Sequence, residues 1–289
     1  MTKPPLTGLR VIETATGISG PYAGRMLASL GAQVIKVEPS GGDPARKQQV
    51  DDLELLPNEL SPLFIHLNAA KLNIAPSEVD PAWADVVLSS DVLDDLTDTP
   101  WHPDVLATHD TRLVTTTAWG ADAEHPGTIA DELLVQTASG FLGFNGDDDS
   151  PPLRLPGWQS QYVAGGLAAA MVQLIRRLPV NHIDVSWLGA LLTATELCYG
   201  DALHCQRVRD RVGPHPPTAF PSGAIKCKDG HFAPGSIRPV DWEMQCLFYG
   251  IPEWVDDPEL RDRLKRKEHI SKIWEKISPW YLARGKREI

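Results

Sequence analysis

The stretch LRVIETATGISGPYAGRMLASLGAQVIKVEPSGGDPAR, residues 9–46, decides the fold class of this 289-residue chain. It opens at residues 9–14 with an apolar run rich in β-branched side chains, which is typical of a strand buried on both faces. Gly20-Pro21 then supplies a turn and a helix start, because proline is pre-organised for the first helical position. The small-residue helix ends at Gly31, which acts as a C-terminal cap.

A second strand at residues 32–37 follows this helix. Strand, helix and strand in this order predict a βαβ unit, which is right-handed in nearly all proteins and binds its ligand at the carboxyl ends of the strands. Predicted strands and helices continue to alternate up to about residue 179. The sequence therefore predicts an α/β fold with a Rossmann-like parallel sheet, flanking helices and a small α+β domain.

Periodicity and turn residues divide the rest of the chain into predicted elements. We expect a loop at 145–152, an extended linker at 214–217 and a hairpin turn at 228–230. Two acidic, poorly periodic stretches, 50–62 and 91–109, are predicted to be surface loops or reduced elements. A further strand is predicted at 112–117, and helices at 129–141, 160–178, 187–211, 242–249 and 257–282.

Three parts follow from these elements. Residues 1–186 form a large Rossmann-like domain, residues 187–220 a long helix with a proline-rich linker, and residues 221–289 a small α+β domain. Four tryptophans are expected in the core of the small domain: Trp242, Trp254, Trp274 and Trp280.

The formal net charge of −11 excludes some classes of partner. Nonspecific binding to nucleic acid or to an anionic membrane needs a cationic surface, so we expect neither. A nucleotide-like ligand held in one basic pocket is compatible with this charge. The sequence contains no apolar signal segment or bilayer-length run, and we expect a soluble, cytoplasmic protein.

Cysteines and histidines show no metal-site pattern. The cysteines have no C-x-x-C pairing, which favours free thiols in a reducing cytosol. His182, His204 and His215 have no mutual ligand spacing and are predicted to be ordinary packed or surface residues. The cysteines are Cys198, Cys205, Cys227 and Cys246.

Several motifs are similar to those of one enzyme family. GLRVIE at 8–13, GPYAG at 20–24, LASLGAQVIKVEP at 27–39 and GDPAR at 42–46 resemble the opening of the type III CoA-transferases. This is the CaiB/BaiF group, which includes formyl-CoA and carnitine CoA-transferases. Similar segments continue in order along the chain: LNAAKL at 67–72, ADVV at 84–87, DELLVQTASG at 131–140 (family D-x-x-x-Q-A-x-S-G), IDVS at 183–186 and IKCKDGHF at 225–232.

The resemblance implies the CoA-transferase family III fold, with residues 1–186 as the CoA-binding domain. It also implies a nucleophilic aspartate, in a D-x-x-x-G pattern, at the start of the Gly/Ala-rich helix. A carboxylate can attack an acyl-CoA and later leave, whereas an amide is a poor nucleophile. Gln161 occupies that position, so the family's route is removed. The related acyl-CoA racemases use a His-Asp pair, and Ala130 and Gln161 replace both groups here.

Nearby acidic residues offer no evident replacement for the aspartate. Asp147, Asp148 and Asp149 precede the helix and are predicted to form a solvated acidic turn. Asp131 is predicted to start a helix.

The resemblance also implies residues that bind CoA. Arg46 can pair with a phosphate through two parallel hydrogen bonds, and Lys36, Lys71 and Asn68 lie near the same strand ends. Two other CoA-contacting segments of the family are altered. N-R-x-K-R-S has become NAAKLN at 68–73, and E-N-F-R-P-G has become SSDVLD at 89–94. Each lost charge-assisted contact is worth about 1.5–3 kcal/mol, so these changes predict much weaker CoA binding.

Two main functions stay open on the sequence. The first is transfer of CoA between an acyl-CoA thioester and a carboxylic acid, with CoA or acyl-CoA as substrate and no tightly bound cofactor. The second is a noncatalytic paralogue that acts as a partner or regulatory subunit of an active CoA-transferase. A third, altered thioester activity such as hydration or isomerisation has no identifiable residues.

The resemblance implies association between chains. Family members form homodimers of interlocked rings, each closed by a returning carboxyl-terminal segment, and we expect that segment to be absent after Ile289. We expect a homo-oligomer, or a hetero-oligomer with a family paralogue that could supply the segment, and not the usual linked ring.

Overall fold

The computed structural model describes residues 3–48, 61–124, 130–147, 149–211, 220–235 and 238–289. It contains two compact units. Unit 1 comprises Met1–Phe141 and Arg154–Arg207, and unit 2 comprises Leu142–Leu153 and Val208–Ile289. The domain boundaries at residues 186 and 220 stay a prediction.

Unit 1 is built on a parallel sheet. Its strands are β1 (Arg10–Glu13), β2 (Gln33–Val37), β3 (Leu72–Ile74), β4 (Val86–Ser89), β5 (Arg112–Thr115) and β6 (His182–Asp184). Among the described residues, these six strands lie in the order β3-β2-β1-β4-β5-β6, and all neighbours are parallel. The predicted α/β class with a Rossmann-like parallel sheet is confirmed.

Helices connect these strands. They are α1 (Ser19–Ser29), α2 (Pro62–Asn68), α3 (Leu93–Leu96), α4 (Pro103–Ala107), α5 (Glu132–Ala138), α6 (Gln159–Ile175), α7 (Trp187–Ala194) and α8 (Glu196–Cys205). The opening βαβ unit is present as predicted, with Gly31 in the left-handed region at φ 99° after α1.

Alternate residues of each strand point to opposite faces, which gives the sheet two apolar layers. Val11 and Val86 pack in the layer with α1, α6 and α7. Ile12 packs in the other layer, with Leu96 of α3 and Leu106 of α4. The stretch 91–109 was predicted as loops or reduced elements, yet it supplies two short helices with buried leucines. The helices were not predicted because the stretch has too few apolar residues among its acidic residues to show the periodicity of a helix.

Small residues bring α1 and α6 close together. A Cβ on Gly165 of α6 would lie 2.4 Å from the carbonyl oxygen of Ser19, the first residue of α1. The Gly/Ala-rich surface of α6 therefore serves close helix packing in unit 1, in agreement with its sequence.

Two helices predicted as continuous are broken. The predicted helix 187–211 is divided at Thr195 into α7 and α8, and α8 ends at Cys205. The Thr195 hydroxyl donates to the carbonyl oxygen of Leu192 at 2.9 Å, a local bond that competes with helix continuation. The predicted helix 257–282 is divided at Asp262, whose backbone is extended.

Unit 2 contains a hairpin and several helices. Its strands β7 (Ile225–Cys227) and β8 (Gly230–Phe232) are antiparallel, which confirms the hairpin turn at 228–230. Its core includes Trp242, and the guanidinium of buried Arg266 stacks 4.0 Å from the centroid of that ring. The helices are α9 (Pro239–Tyr249), α10 (Pro258–Arg261), α11 (Arg263–Arg266) and α12 (Ile270–Leu282).

Other sequence predictions have mixed outcomes. The four cysteines are free thiols, as expected, although Cys205 is exposed. Nearly all of the predicted loop 50–62 and the whole linker 214–217 lie outside the described residues. Within the described chain, every helix is too short or too polar to cross a bilayer.

Candidate functional site

The carboxyl ends of β1 and β4 meet where the strand order of the sheet reverses. Ligands of open parallel sheets bind in the crevice outside the strand ends at such a point. The loops after both strands are joined there, because the Thr16 amide donates to Ser90 Oγ at 3.0 Å. Ser89 Oγ donates to Asp91 Oδ2 at 2.8 Å, which orders the segment that differs from the family loop. We take this crevice as the candidate site.

Two lysines and two carboxylates form a buried ion cluster beside this crevice: Glu13, Lys36, Asp43 and Lys71. Glu13 Oε1 lies 3.1 Å from Lys36 Nζ, and Glu13 Oε2 lies 2.7 Å from Lys71 Nζ. Lys36 Nζ lies 2.7 Å from Asp43 Oδ2 and also donates to the carbonyl oxygen of Ala15. Each of the four side chains is at most 1% exposed, so the charges compensate one another away from water.

The local sequence explains how the cluster forms. Parallel pairing of β1 with β2 places Glu13 beside Lys36. Gly24 of α1 leaves space for the carboxylate, since a Cβ at that position would lie 1.8 Å from Glu13 Oε2. Any larger residue at position 24 would displace the carboxylate from the cluster.

Lys71 joins three elements around the cluster. It donates to the carbonyl oxygen of Pro21 in α1 at 2.8 Å and to Asn68 Oδ1 at the end of α2 at 2.9 Å. Burial lowers the pKa of Lys71 to about 8, and the attraction of Glu13 opposes this effect. The structure thus brings Lys36, Lys71 and Asn68 together, with both amino groups bound to protein acceptors. Their role in CoA binding stays a prediction.

Arg46 lies in a short 3-10 turn after Asp43 and is already paired. Its Nε lies 2.5 Å from Glu38 Oε2 and its Nη2 lies 2.6 Å from Glu38 Oε1. The guanidinium also stacks 4.2 Å from the centroid of the Phe64 ring. The hydrogen bonds from Arg46 lower the pKa of Glu38 to about 2. A phosphate would have to replace Glu38 to receive both hydrogen bonds of this arginine.

Gln161 lies in the first turn of α6. Its side chain is 8% exposed and forms no hydrogen bond with any residue in the described part of the chain. The adjacent Tyr162 meets Tyr22 of α1 edge to face, with ring centroids 4.9 Å apart. Position 161 is therefore placed by its helix, while its amide makes no hydrogen bond with the described residues.

Glu132, the first residue of α5, is a buried carboxylate that contacts the start of α6 and that the sequence analysis did not identify as a site residue. Its Oε1 accepts from the Ser160 amide at 2.9 Å and from Gln136 Nε2 at 2.9 Å, and its Oε2 accepts from Ser160 Oγ at 2.7 Å. A carboxylate is favourable here, because the first amides of a helix lack backbone partners and carry partial positive charge. The sequence signal is its i, i+4 spacing to Gln136, which matches the family's D-x-x-x-Q pattern.

The other acidic candidates are Asp131 and the three aspartates at 147–149. Asp131 caps α5 by accepting from the Leu134 amide at 2.8 Å, as predicted. Asp147 and Asp149 belong to unit 2, and Asp148 lies outside the described residues. Among the described residues, no three His, Cys, Asp or Glu side chains are arranged to hold a metal ion.

The fold is shared with a solved CaiB/BaiF family protein. The structure superposes on that protein, from Brucella suis, with a TM-score of 0.82 over 99% of this chain and 80% of the other. The two sequences are 19% identical, so this similarity shows the fold.

Sequence comparison extends this result to the family. The family model of CoA-transferase family III matches residues 6–289, and the chain belongs to this family. A succinate–glutarate CoA-transferase of Agrobacterium fabrum is 28% identical over 99% of this chain and 77% of its own length. A succinyl-CoA:glutarate CoA-transferase of Mus musculus is 26% identical over 93% of this chain and 66% of its own length.

Proposed function

We propose that this protein binds an acyl-CoA thioester at the crevice between β1 and β4 and transfers CoA to a carboxylic acid. The family match over nearly the whole chain is the observation that carries this proposal. Two relatives are named for succinate or succinyl-CoA and for glutarate, so short dicarboxylic acids are the first substrates to test. In this role CoA is a substrate rather than a bound cofactor, and the protein is a cytoplasmic oligomer.

Arg46, Lys36, Lys71 and Asn68 are the proposed CoA-binding residues. Arg46 can offer a phosphate two parallel donors from its Nη1 and Nη2 edge, or from Nε and Nη2 if the phosphate displaces Glu38. The two lysines contribute to CoA binding through their electrostatic field and through the shape of the crevice wall, because their amino groups are already bound to acceptors. This arrangement favours modest rather than tight CoA affinity.

Position 161 limits the chemistry that can follow binding. In the family reaction a carboxylate oxygen of the enzyme attacks the thioester carbonyl and the C–S bond breaks. The CoA thiolate departs, and the acyl group and the enzyme carboxylate form a mixed anhydride. The thiolate then attacks the anhydride to form an enzyme thioester and release the first acid. The amide of Gln161 cannot perform the first step as a carboxylate does. Glu132 bonds to Ser160, the neighbour of Gln161, but its oxygens accept three hydrogen bonds that anchor α6.

These facts favour a second candidate function. We propose as the alternative that the chain is a noncatalytic partner or regulatory subunit of an active CoA-transferase. Gln161 is the observation that supports it, because the fold and the helix start are kept while the reacting group is changed. The alternative predicts oligomerisation with a paralogue that retains the aspartate.

The two functions differ in three measurements on the purified chain. Calorimetric titration with CoA and succinyl-CoA measures binding, and transfer of CoA from succinyl-CoA to glutarate measures activity. A hydroxylamine-sensitive acyl-enzyme reports a covalent intermediate. The variants are Gln161→Asp, which restores the carboxylate, and Gln161→Ala, which removes the side chain without adding one.

For the transferase, we expect saturable CoA binding and transfer by the native chain, with a gain in Gln161→Asp. Transfer by both the native chain and Gln161→Ala would identify a nucleophile elsewhere. Binding without transfer, restored by Gln161→Asp, would establish the noncatalytic alternative. Absence of CoA binding in every variant would overturn the first proposal, and a strictly monomeric chain in light scattering would count against both.

A further inference from the structure

Unit 1 contains a second cavity, between the loop after β5 and strand β6. Its volume is about 630 Å³, within the range of small-molecule sites. Residues of the β1/β4 crevice do not contribute to it. The cavity is lined by Trp119, Gly120, Ala121, Asp122, Ala123, His182, Asp184 and Ser186.

A hydrogen-bond chain fixes the chemistry of His182 at this cavity. Thr115 Oγ1 donates its only proton to Asp184 Oδ1 at 2.6 Å. The same oxygen lies 2.8 Å from His182 Nε2, which must therefore be the donor of that hydrogen bond. In the neutral ring, the unprotonated nitrogen is then Nδ1. This hydrogen-bond chain leaves Nδ1 as the acceptor atom of the His182 ring.

Burial favours the neutral state of the His182 ring near neutral pH. Burial lowers the pKa of His182, while Asp184 and Asp122 oppose the shift and His102 reinforces it. These groups come from β6, from the loop after β5 and from the turn before α4. The neutral imidazole is therefore the form present at pH 7 and above.

Backbone donors at the cavity wall are already used. The Ala121 amide donates to Asp184 Oδ2 at 3.1 Å, and the Gly120 amide donates to Thr117 Oγ1 at 3.2 Å. The Ala123 amide donates to the carbonyl oxygen of Gly120 at 3.2 Å. These amides are not available to an anion, which distinguishes this cavity from a phosphate site.

The carboxylates that line the cavity are those of Asp122 and Asp184. In the sequence, Asp122 belongs to the acidic stretch 72–124, which contains eleven carboxylates and one arginine. Such a distribution attracts cations and repels anions. Trp119 contributes an aromatic wall, and a cation can lie favourably over such a ring.

We propose that this cavity binds a small guanidinium or primary ammonium compound, which donates hydrogen bonds to His182 Nδ1 and to the Asp122 carboxylate. His182 then belongs to a ligand site instead of being the ordinary packed residue that its sequence context predicts. The proposal is independent of CoA chemistry, since it uses neither Gln161 nor the buried ion cluster.

Agmatine, which carries both cationic groups, is the probe. Calorimetric titration of the full chain at pH 7.5 should show saturable binding. Because a charge-assisted hydrogen bond is lost, His182→Ala and Asp122→Asn should each weaken binding by about tenfold or more. The matched control is Asp104→Asn on α4, an exposed carboxylate in the same acidic stretch but outside the cavity. It should change the affinity by less than about twofold, since exposed charge pairs contribute little.

The pH dependence of the unaltered chain provides a test that needs no variant. Lowering the pH from 7.5 to 5 raises the protonated fraction of His182, and protonation replaces the acceptor with a donor and adds a positive charge. Agmatine binding should fall severalfold over this interval, and Asp104→Asn should show the same fall. Equal weakening by Asp104→Asn and Asp122→Asn would reduce the effect to general attraction by the acidic surface. That outcome, a flat pH profile or the absence of saturable binding would overturn the proposal.

Discussion

The buried ion cluster and the first turn of α6 lie on elements that flank the same helix, α1, and they differ in how strongly the fold depends on them. In the cluster, every charge has an opposite charge within 3.1 Å, and removing one leaves a net charge uncompensated in the interior. At the start of α6, Glu132 anchors Ser160, but the amide of Gln161 has no hydrogen-bond partner among the described residues.

This difference teaches which parts of a family site the fold itself maintains. A buried ion network resists substitution, because a single change costs several kcal/mol. A side chain that only reacts with substrate contributes little to stability, so its replacement leaves the fold intact. The family fold is therefore compatible with a glutamine at position 161, where the nucleophile is predicted.

The largest expected effect comes from breaking the ion cluster. Glu13→Gln leaves two buried lysines with one carboxylate, and should lower the free energy of unfolding by about 3–5 kcal/mol. Urea unfolding followed by circular dichroism measures the change. Asp110→Asn is the matched control beside β5 of the same sheet, where a carboxylate that is 92% exposed lies 3.1 Å from Arg112, and should cost no more than about 1 kcal/mol. Equal costs would show that burial does not distinguish these ion pairs.

An intermediate effect is expected at the start of α6. Glu132→Gln replaces one acceptor oxygen with a donor beside Ser160, and should lower the free energy of unfolding by about 1–3 kcal/mol. The control is Asp131→Asn, one residue earlier. Asparagine remains a good helix cap, so the free energy of unfolding should fall by only about 0.3 kcal/mol. If the two variants are equally stable, the anchoring role of Glu132 is wrong.

The last expected effect is a change in how the free energy of unfolding depends on pH. The pKa of Lys71 is about 8 in the folded protein and 10.5 ordinarily, so the unfolded chain binds more protons between these values. The free energy of unfolding should therefore rise with pH across that interval, relative to a chain without this lysine. Urea titrations from pH 7 to 10 compare the native chain with Lys71→Met, and parallel profiles would contradict the lowered pKa. Lys71→Arg, which stays charged over this pH range, should show the same pH profile as Lys71→Met.

Much of the fold was readable because its signals are local. The βαβ unit is carried by an apolar strand, a Gly-Pro helix start and a glycine cap within residues 9–46. The structure contains the strand and the cap, but α1 begins at Ser19, so Gly20 and Pro21 lie inside its first turn instead of in a turn before it. The breaks at Thr195 and Asp262 were missed, since neither threonine nor aspartate interrupts an apolar period. The helices within 91–109 were missed for a related reason, because one or two buried leucines per helix leave no periodic pattern.

The candidate site divides in the same way. Glutamine at position 161 could be identified from its motif, since the motif is contiguous. The pairing of Arg46 with Glu38 and the anchoring of α6 by Glu132 could not, because sequence shows that a charge exists and not which partner it contacts. His182 was predicted to be ordinary for this reason: its partners Thr115 and Asp184 become informative only when β5 and β6 pair.

The sequence by itself determined the family, the parallel α/β architecture and the amide at position 161, because each is written in contiguous residues and their periodicity. Tertiary structure alone decided which charges neutralise one another, which carboxylate holds α6, and where acceptors collect around a cavity. The physical reason is distance: electrostatic and hydrogen-bond energies depend on separations of a few ångströms and on burial, and both arise only when remote segments pack together.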